Sequence, residues 1–259
     1  MDLKLKDKVA IVGGASQGIG FGIARTLAAE GVKLAITARR EKPLREAAEK
    51  ILVETGIEPL ALPADCRRAE DCAAVVTSTT AHYGGLDILV NNDGAPPLGD
   101  LISFDDAAWH QAIERNLMYV VRMCRAAVPH MTARGGGSVL NITAISAIQP
   151  IPGFGLSVAT WDAVIGYAKT LSLELAAAGI NVNTICPGYI ETERLQKVFA
   201  ADGQDPNLMR AKLSDEIAMR RIGTVEDIAG IVAFLVSPRG NYITGTAIQV
   251  DGGLFRGLR

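Results

Sequence analysis

The stretch Val9-Ala10-Ile11-Val12-Gly13-Gly14-Ala15-Ser16-Gln17-Gly18-Ile19-Gly20 determines the expected fold. An apolar run leads into a glycine-rich turn and then a helical pattern, which is typical of a buried parallel strand joined to a helix. Glycines let the backbone approach a ligand closely, and the free N–H groups that begin the helix attract an anion. The turn therefore predicts a dinucleotide pyrophosphate site, although Gly14-x3-Gly18-x-Gly20 is not the usual G-x-G-x-x-G spacing. A plain strand-to-helix bend is the alternative.

Length and composition predict one large α/β domain over residues 1–259. The formal charge of -2 gives no reason to expect nucleic acid or a membrane surface as partner. Apolar stretches are short, so no transmembrane helix is expected, and the charged residues 1–8 do not resemble a signal peptide. We therefore expect a cytoplasmic protein. No cysteine has metal-ligand spacing, and we expect reduced thiols at Cys66, Cys72, Cys124 and Cys186.

Strand-like runs alternate with helical patterns along the chain, and no repeat or linker divides it. Strands are predicted at 9–13, 33–37, 58–63, 88–91, 138–143, 181–186 and 247–250. Helices are predicted at 18–30, 41–55, 69–83, 104–132, 156–178 and 224–237, with a polar, helical segment at 191–220. This alternation predicts a Rossmann-like, doubly wound parallel sheet of about seven strands, flanked by helices. Ligands of such sheets bind beyond the carboxyl ends of the strands.

Several motifs fall at those carboxyl ends, and together they resemble the short-chain dehydrogenase/reductase family, in a 3-oxoacyl-carrier-protein-reductase-like pattern. They are Gly14-x3-Gly18-x-Gly20, Asp65, Asn91-Asn92-Asp93-Gly94, Asn116 in Glu114-Arg115-Asn116-Leu117, Pro187-Gly188-Tyr189-Ile190-Glu191-Thr192 and Asp251-Gly252-Gly253. The likeness covers nearly the whole chain. It implies an oxidoreductase that acts on a carbonyl or secondary alcohol, a small-molecule substrate that we cannot name, a substrate lid at 191–220 and a homo-oligomer (dimer or tetramer).

The end of the second strand indicates which cofactor to expect. Enzymes that use NAD place an acidic residue there to bond the ribose 2′-hydroxyl. Here Ala38 takes that position and Arg39 and Arg40 follow, and a guanidinium clamps a 2′-phosphate well. NADP(H) is therefore the preferred cofactor, with NAD(H) as the alternative. Gln17 stands where the family often has a second basic residue, which weakens the preference, and the arginines could simply solvate a loop.

The resemblance also implies roles for residues around the cofactor. Asp65 would bond the adenine edge, Asn92 would meet the adenosine ribose, and Ile190 and Thr192 would hold the carboxamide. Helix capping is the alternative role for Asp65 and Thr192. The full set of expected cofactor-binding residues is Gly14, Ser16, Gln17, Gly18, Ile19, Gly20, Arg39, Arg40, Asp65, Cys66, Asn92, Gly94, Pro187, Gly188, Ile190 and Thr192. No metal site is expected.

The catalytic positions of the family depart from its pattern in this chain. The family uses a serine, a tyrosine thirteen residues later and a lysine four residues after that. The lysine ammonium lowers the phenol pKa from its usual value near ~10, and an i, i+4 pair shares one helix face. The flanking sequence sets these positions at Ala144, Ser157 and Trp161, so that only the relay asparagine, Asn116, is retained.

No other residue pair replaces the missing tyrosine and lysine. No tyrosine in the chain has a lysine four residues later, and Tyr167 and Lys169 do not face each other because they are two residues apart. A loss of acid–base catalysis reduces a rate by roughly 10²–10⁴-fold. Bound nicotinamide can still pass a hydride by proximity.

Further departures concern single residues. Gly13 stands where the family usually has threonine, and Asp93 stands where alanine is usual. Asp93 is either a turn residue or a carboxylate that acts as a substitute acid or alters cofactor binding. We expect the histidines at 82 and 130 to interact with helix ends, and a catalytic role for His110 is a weaker alternative.

These observations leave three hypotheses. The first is an NADP(H)-dependent oxidoreductase with a degenerate proton relay and weak or altered activity. The second is a cofactor-binding protein without redox catalysis, which serves as a structural or regulatory partner of an active homologue. The third is a lyase or isomerase that uses the inherited pocket, with Asp93, His110 or Glu193 as its acid or base.

Overall fold

The computed structural model describes residues 2–94, 96–201 and 205–258. It confirms the predicted sheet of seven parallel strands, in the order β3-β2-β1-β4-β5-β6-β7. The strands are β1 Val9–Val12, β2 Lys33–Ala38, β3 Leu60–Pro63, β4 Ile88–Asn91, β5 Gly137–Ile142, β6 Ile180–Pro187 and β7 Ala247–Val250. The strand order reverses between β1 and β4, and this switch point is where ligands bind in such sheets.

Helices cover both faces of the sheet. They are α1 Gly18–Ala29, α2 Glu41–Thr55, α3 Ala69–Tyr83, α4 Asp106–Ile113, α5 Tyr119–Ala133, α6 Gly155–Leu175, α7 Glu193–Ala201, α8 Pro206–Glu216 and α9 Val225–Leu235. Alternate residues of β1 enter separate apolar cores, because successive strand side chains point to opposite faces. Ala10 and Val12 pack with α1, α2 and α9, whereas Val9 and Ile11 pack with α3, α5 and α6. Among the described residues, no helix is long and apolar enough to cross a membrane.

The predicted long helical region at 104–132 is present, but its α-helical geometry is interrupted. The structure has two helices there, α4 and α5, separated by a π-helical turn at Glu114–Met118. Single π turns inside helices often occur at functional sites. This turn contains Asn116, which is fully buried and donates a hydrogen bond to Thr160 of α6. Apolar periodicity does not reveal such a turn, because the turn depends on a contact with another helix.

Smaller differences occur at the ends of other elements. β1 ends at Val12, one residue before the predicted end, and β3 begins at Leu60 instead of residue 58. The last predicted helix begins at Val225, because Thr224 caps it by accepting a hydrogen bond from the Asp227 amide. The segment 191–220 contains α7 and α8, which contribute to a separate apolar cluster of Ile145, Leu195, Phe199, Ile217, Ile222 and Leu254.

Candidate cofactor groove and adjoining cavity

The glycine turn has the backbone geometry that its sequence predicts. Gly14 and Gly18 have φ angles of 56° and 60°, a region that L side chains rarely adopt. A Cβ on Gly14 would lie 2.6 Å from Asn92 Nδ2, and a Cβ on Gly20 would lie 2.5 Å from the Gly14 carbonyl oxygen. Asn92 Nδ2 in turn donates a 3.0 Å hydrogen bond to the carbonyl of Gly13. The turn is thus packed directly against the end of β4.

A groove follows this turn along the carboxyl ends of β1, β2 and β4. Its lining is Gly14, Ser16, Gln17, Gly18, Ile19, Ala38, Arg39, Arg40, Asn92, Asp93, Gly94, Thr192, Glu193 and Arg194. Arg39 and Arg40 lie at one end of it, and Arg40 Nη2 donates to Gln17 Oε1 at 3.4 Å. A small recess adjoins the groove and is lined by Gly14, Thr37, Ala38, Arg39, Ala64, Cys66, Asn92 and Asp93. Groove and recess bring most of the expected cofactor-binding residues together.

Asp65 lies beside the recess and is held by a neighbouring cation. Ala64 and Cys66 line the recess, whereas the Asp65 carboxylate accepts hydrogen bonds from the side chain and backbone N–H of Arg67. The bond from the Arg67 guanidinium is the main reason why the pKa of Asp65 falls to about 2. Asp65 is therefore an anion at neutral pH. If this carboxylate also bonds adenine, as the family resemblance implies, it must accept that hydrogen bond while it remains paired with Arg67.

Asp93 lies where the groove meets the recess and a second cavity, and it lines all three. Burial raises the pKa of this carboxyl, and the Gly94 backbone N–H and the positive charges of Arg115 and Arg39 act in the opposite direction. The usual alanine of the family would bring no charge to this point. The sequence therefore places an ionisable group on the wall shared by the cofactor groove and the adjoining cavity.

The second cavity has a volume of about 180 Å³. Its lining is Ile19, Asn92, Asp93, Ile142, Thr143, Ala144, Ile145, Ser146, Ile151, Phe154, Ser157, Trp161, Pro187, Gly188, Tyr189, Ile190, Thr192, Arg194 and Leu195. The three positions that the family pattern assigns to catalysis, Ala144, Ser157 and Trp161, thus all line this cavity. Within the described chain, the Ser146 and Ser157 hydroxyl oxygens are buried without a hydrogen-bond partner. Trp161 is 3% exposed and also packs in the core below α6.

Asn116 does not line this cavity. Its Nδ2 donates to Thr160 Oγ1 at 2.7 Å, and that hydroxyl donates to the Leu156 carbonyl at 2.6 Å. Asn116 Oδ1 is buried and has no hydrogen-bond partner among the described residues. The retained asparagine is therefore bound to the residue that precedes Trp161, behind the cavity wall.

Other candidate acids and bases lie away from the cavity. Tyr167 packs against Cys124 of α5, and burial raises its pKa. His110 Nδ1 is 2.7 Å from the Asp106 carbonyl oxygen on an exposed surface. His82 and His130 lie in the last turns of α3 and α5, as expected. No group of three or more potential metal ligands exists in the described part of the chain, and its cysteines are free and buried.

The segment between β6 and α7 lines the cavity and leads into α7 and α8. Thr192 Oγ1 accepts a 3.4 Å hydrogen bond from the Leu195 amide, so Thr192 caps α7 while it also lines both cavities. Glu191 and Arg210 form an ion pair between the start of this segment and α8, with Oε1 and Nη2 3.0 Å apart. This pair connects the start of the expected lid to α8.

The sequence interpretation missed several residues that line the cavity. They are Ile151, Phe154, Tyr189, Arg194 and Leu195. Tyr189 lies within the motif Pro187–Thr192, and Arg194 follows it by two residues. Their closeness to this motif in the sequence is the signal that could have identified them. Burial and the nearby charge of Arg115 lower the pKa of Arg194. A cation at the junction of groove and cavity favours an anionic group in that place.

A parallel sheet with this switch point, glycine turn and adjoining groove defines a Rossmann-like α/β protein. The family model described as enoyl-(acyl carrier protein) reductase matches residues 14–255. Dehydrogenase/reductase SDR family member 4 of Oryctolagus cuniculus is 35% identical over 250 residues, which cover 96% of this chain and 94% of that protein. The chain therefore belongs to the short-chain dehydrogenase/reductase family of oxidoreductases, as its motifs indicated.

Two further relatives support this assignment. The 3-oxoacyl-(acyl-carrier-protein) reductase FabG of Staphylococcus epidermidis is 34% identical over 249 residues, covering 96% of this chain and 99% of that protein. L-sorbose reductase of Gluconobacter frateurii, solved with NADPH and L-sorbose, superposes with a TM-score of 0.96. It is 34% identical, and the match covers 100% of both chains.

Proposed function

We propose that this protein binds NADP(H) and is a carbonyl or secondary-alcohol oxidoreductase with a degenerate proton relay and weak or altered turnover. The observation that carries the proposal is that Ala144, Ser157 and Trp161 line one cavity. This cavity shares Asn92, Asp93 and Thr192 with the cofactor groove, yet none of the side chains at the three catalytic positions titrates near neutral pH. The proposed site therefore lacks the usual proton donor for hydride transfer to a carbonyl.

The proposed cofactor fits the residues of the groove. The close packing at Gly14 and Gly20 allows no side chain at either residue, and the turn leads into the N-terminus of α1, where backbone N–H groups would bind a pyrophosphate. Arg39 and Arg40 provide guanidinium groups for a 2′-phosphate, and Ala38 provides no acid for a ribose hydroxyl. The NADPH bound to L-sorbose reductase supports the same choice. NAD(H) is the alternative cofactor.

When bound, a nicotinamide cofactor supplies or accepts the hydride. The chain's contribution is to hold a carbonyl carbon close to it and to exclude water. The Ser157 hydroxyl and the Trp161 indole N–H are donors for a substrate oxygen, but neither gives up a proton readily. Since no ammonium replaces the lysine, we expect turnover roughly 10²–10⁴-fold below that of a complete relay.

Around this site we propose a single domain whose segment 191–220 acts as a substrate lid. The Glu191–Arg210 ion pair and the apolar cluster beneath α7 and α8 support a lid that moves as a unit. We further propose an unidentified small-molecule substrate, a cytoplasmic location and a homo-oligomer, as the family resemblance implies.

A second candidate function is a cofactor-binding partner of an active homologue, without its own redox activity. The replacement of the serine, tyrosine and lysine together, in a cavity otherwise intact, favours this candidate. A non-redox lyase or isomerase is the third candidate, and Asp93 is the acid or base that favours it, because it lines the cavity and its pKa is raised by burial.

Fluorescence titration with NADPH and NADH tests binding separately from catalysis. NADPH consumption is then measured with a panel of ketones that includes L-sorbose. We expect saturable NADPH binding and very slow consumption with every ketone. Rapid turnover of any ketone would reject the degenerate relay and the two non-redox candidates. Absence of binding to either cofactor would reject the proposed function.

A further inference from the structure

The phenol of Tyr119 occupies the space beside Gly13. A Cβ built on Gly13 would lie 2.3 Å from Tyr119 Oη and 2.7 Å from the Asn92 carbonyl oxygen. Both distances are too short for a side chain, so residue 13 has to be glycine while Tyr119 keeps its position. Gly13 is one of the positions of the turn where this chain departs from its family, since threonine is usual there.

The Tyr119 hydroxyl provides hydrogen bonds to the first residue after β4. It accepts a 3.1 Å hydrogen bond from the Asn92 amide, and its own proton points to the Asn92 carbonyl oxygen at 3.5 Å. Tyr119 is 1% exposed, and burial holds its pKa well above the usual value, so the phenol keeps its proton. A buried backbone amide without a partner is unfavourable, and β4 has already ended at Asn91.

The residues held in this way form the centre of the candidate site. Asn92 and Asp93 line the groove, the recess and the cavity. Asn92 also holds the start of the turn, because its side chain donates a hydrogen bond to the Gly13 carbonyl. A displacement of Asn92 would therefore move the wall that all three spaces share.

We infer that Tyr119 is a positioning residue of the cofactor site, whose hydroxyl fixes Asn92 from α5 in place of a side chain on residue 13. This inference rests on the proposed binding of NADP(H). The hydroxyl of Tyr119 and the carbonyl of Asn92 together leave no room for a side chain on residue 13.

The test combines amide exchange with cofactor binding in the full chain. Tyr119→Phe removes only the hydroxyl, and Tyr83→Phe is the matched control, because Tyr83 donates a 3.1 Å hydrogen bond to the Leu34 carbonyl away from the groove. We expect Tyr119→Phe to speed hydrogen exchange of the Asn92 amide and to raise the Kd for NADPH about tenfold. Tyr83→Phe should change neither quantity. An unchanged Asn92 exchange rate, or an unchanged Kd, in Tyr119→Phe overturns the inference.

A second set of variants tests the close contact between residue 13 and Tyr119. Gly13→Thr should weaken NADPH binding because its side chain collides with Tyr119, and Tyr119→Ala should weaken it because the hydroxyl is lost. Tyr119→Ala does not make residue 13 tolerant of a side chain, because the Asn92 carbonyl oxygen would still lie 2.7 Å from a Cβ there. Wild-type NADPH affinity in Tyr119→Ala would contradict the positioning role of the phenol. If the wild-type protein binds no NADPH, the proposed function fails, and the Asn92 exchange rates alone decide the inference.

Discussion

Asn116 donates a 2.7 Å hydrogen bond to the Thr160 hydroxyl, and this bond joins the π turn between α4 and α5 to α6. Both residues are buried, and Thr160 directly precedes Trp161 in the cavity wall. The asparagine retained from the family pattern therefore has a structural contact that does not need a lysine at position 161. The presence of an asparagine at position 116 therefore does not by itself indicate a working proton relay.

The first prediction concerns the stability of this junction. Asn116→Ala and Thr160→Val should each lower the free energy of unfolding by about 1–3 kcal/mol. Thr160→Val leaves the buried Asn116 Nδ2 without its acceptor, and Asn116→Ala removes the hydrogen bond donated to Thr160, whose hydroxyl keeps only its bond to Leu156. The double variant should lose less than the sum, with a coupling energy of at least about 0.5 kcal/mol. Urea denaturation of the four proteins measures these quantities. Strictly additive losses would show that the hydrogen bond contributes nothing.

The second prediction concerns the missing catalytic groups. The combined variant Ala144→Ser, Ser157→Tyr and Trp161→Lys should raise NADPH-dependent ketone reduction by about 10²-fold or more, because it rebuilds the donor and the cation that lowers its pKa. The control carries the same first two changes with Trp161→Met, which removes the indole without adding an ammonium. Circular dichroism and thermal unfolding establish that both variants fold, since Trp161 is also a core residue. A folded triple variant without increased turnover would indicate a pocket rebuilt for other chemistry.

The sequence predicted the sheet well because buried parallel strands and their following helices have strong local patterns. The alternation of Val9, Ala10, Ile11 and Val12 between two cores follows directly from the period of a strand. Ser157 and Trp161 line the same cavity because residues four apart share one face of a helix.

The features that the sequence did not predict depend on distant contacts. The π turn at Glu114–Met118 is paired with Thr160 of another helix. Gly13 was recognised as unusual, but its partner Tyr119 lies more than a hundred residues away, in a position that local patterns assign only to the core. Arg194 reaches the groove because α7 begins beside Thr192, and periodicity does not fix that placement.

The third prediction tests the preference between cofactors. Arg39→Ala and Arg40→Ala should each raise the Kd for NADPH about tenfold and leave the Kd for NADH within twofold, because only NADPH carries the 2′-phosphate. Arg45→Ala is the control for a lost positive charge, since Arg45 pairs with Glu41 on α2 at 2.8 Å and does not line the groove. Equal losses for both cofactors would mean that the arginines act on the shared pyrophosphate instead.

The fourth prediction uses the carboxyl of Asp93. Burial raises its pKa, so that the folded protein holds this proton more tightly than the unfolded chain does. When pH rises through that raised pKa, the carboxylate forms beside the groove, and its charge repels the phosphates of NADPH. The positive charges of Arg39 and Arg115 oppose this ionisation penalty, and the negative charge of Asp65 adds to it. Affinity for NADPH should therefore fall as pH increases.

Asp93→Asn keeps the shape of the side chain and removes its titration. The variant should bind NADPH more tightly than wild type at pH 8, and the difference between the two proteins should disappear at acidic pH, where Asp93 is protonated. The comparison between the proteins cancels the titration of the cofactor's own 2′-phosphate. The free energy of unfolding should show the same sign: an ionised, buried carboxylate destabilises the folded state, so Asp93→Asn should be the more stable protein at pH 8 and equal to wild type in acid. If both proteins have the same Kd at every pH, the Asp93 charge does not act on the cofactor and the residue has only a turn-forming role.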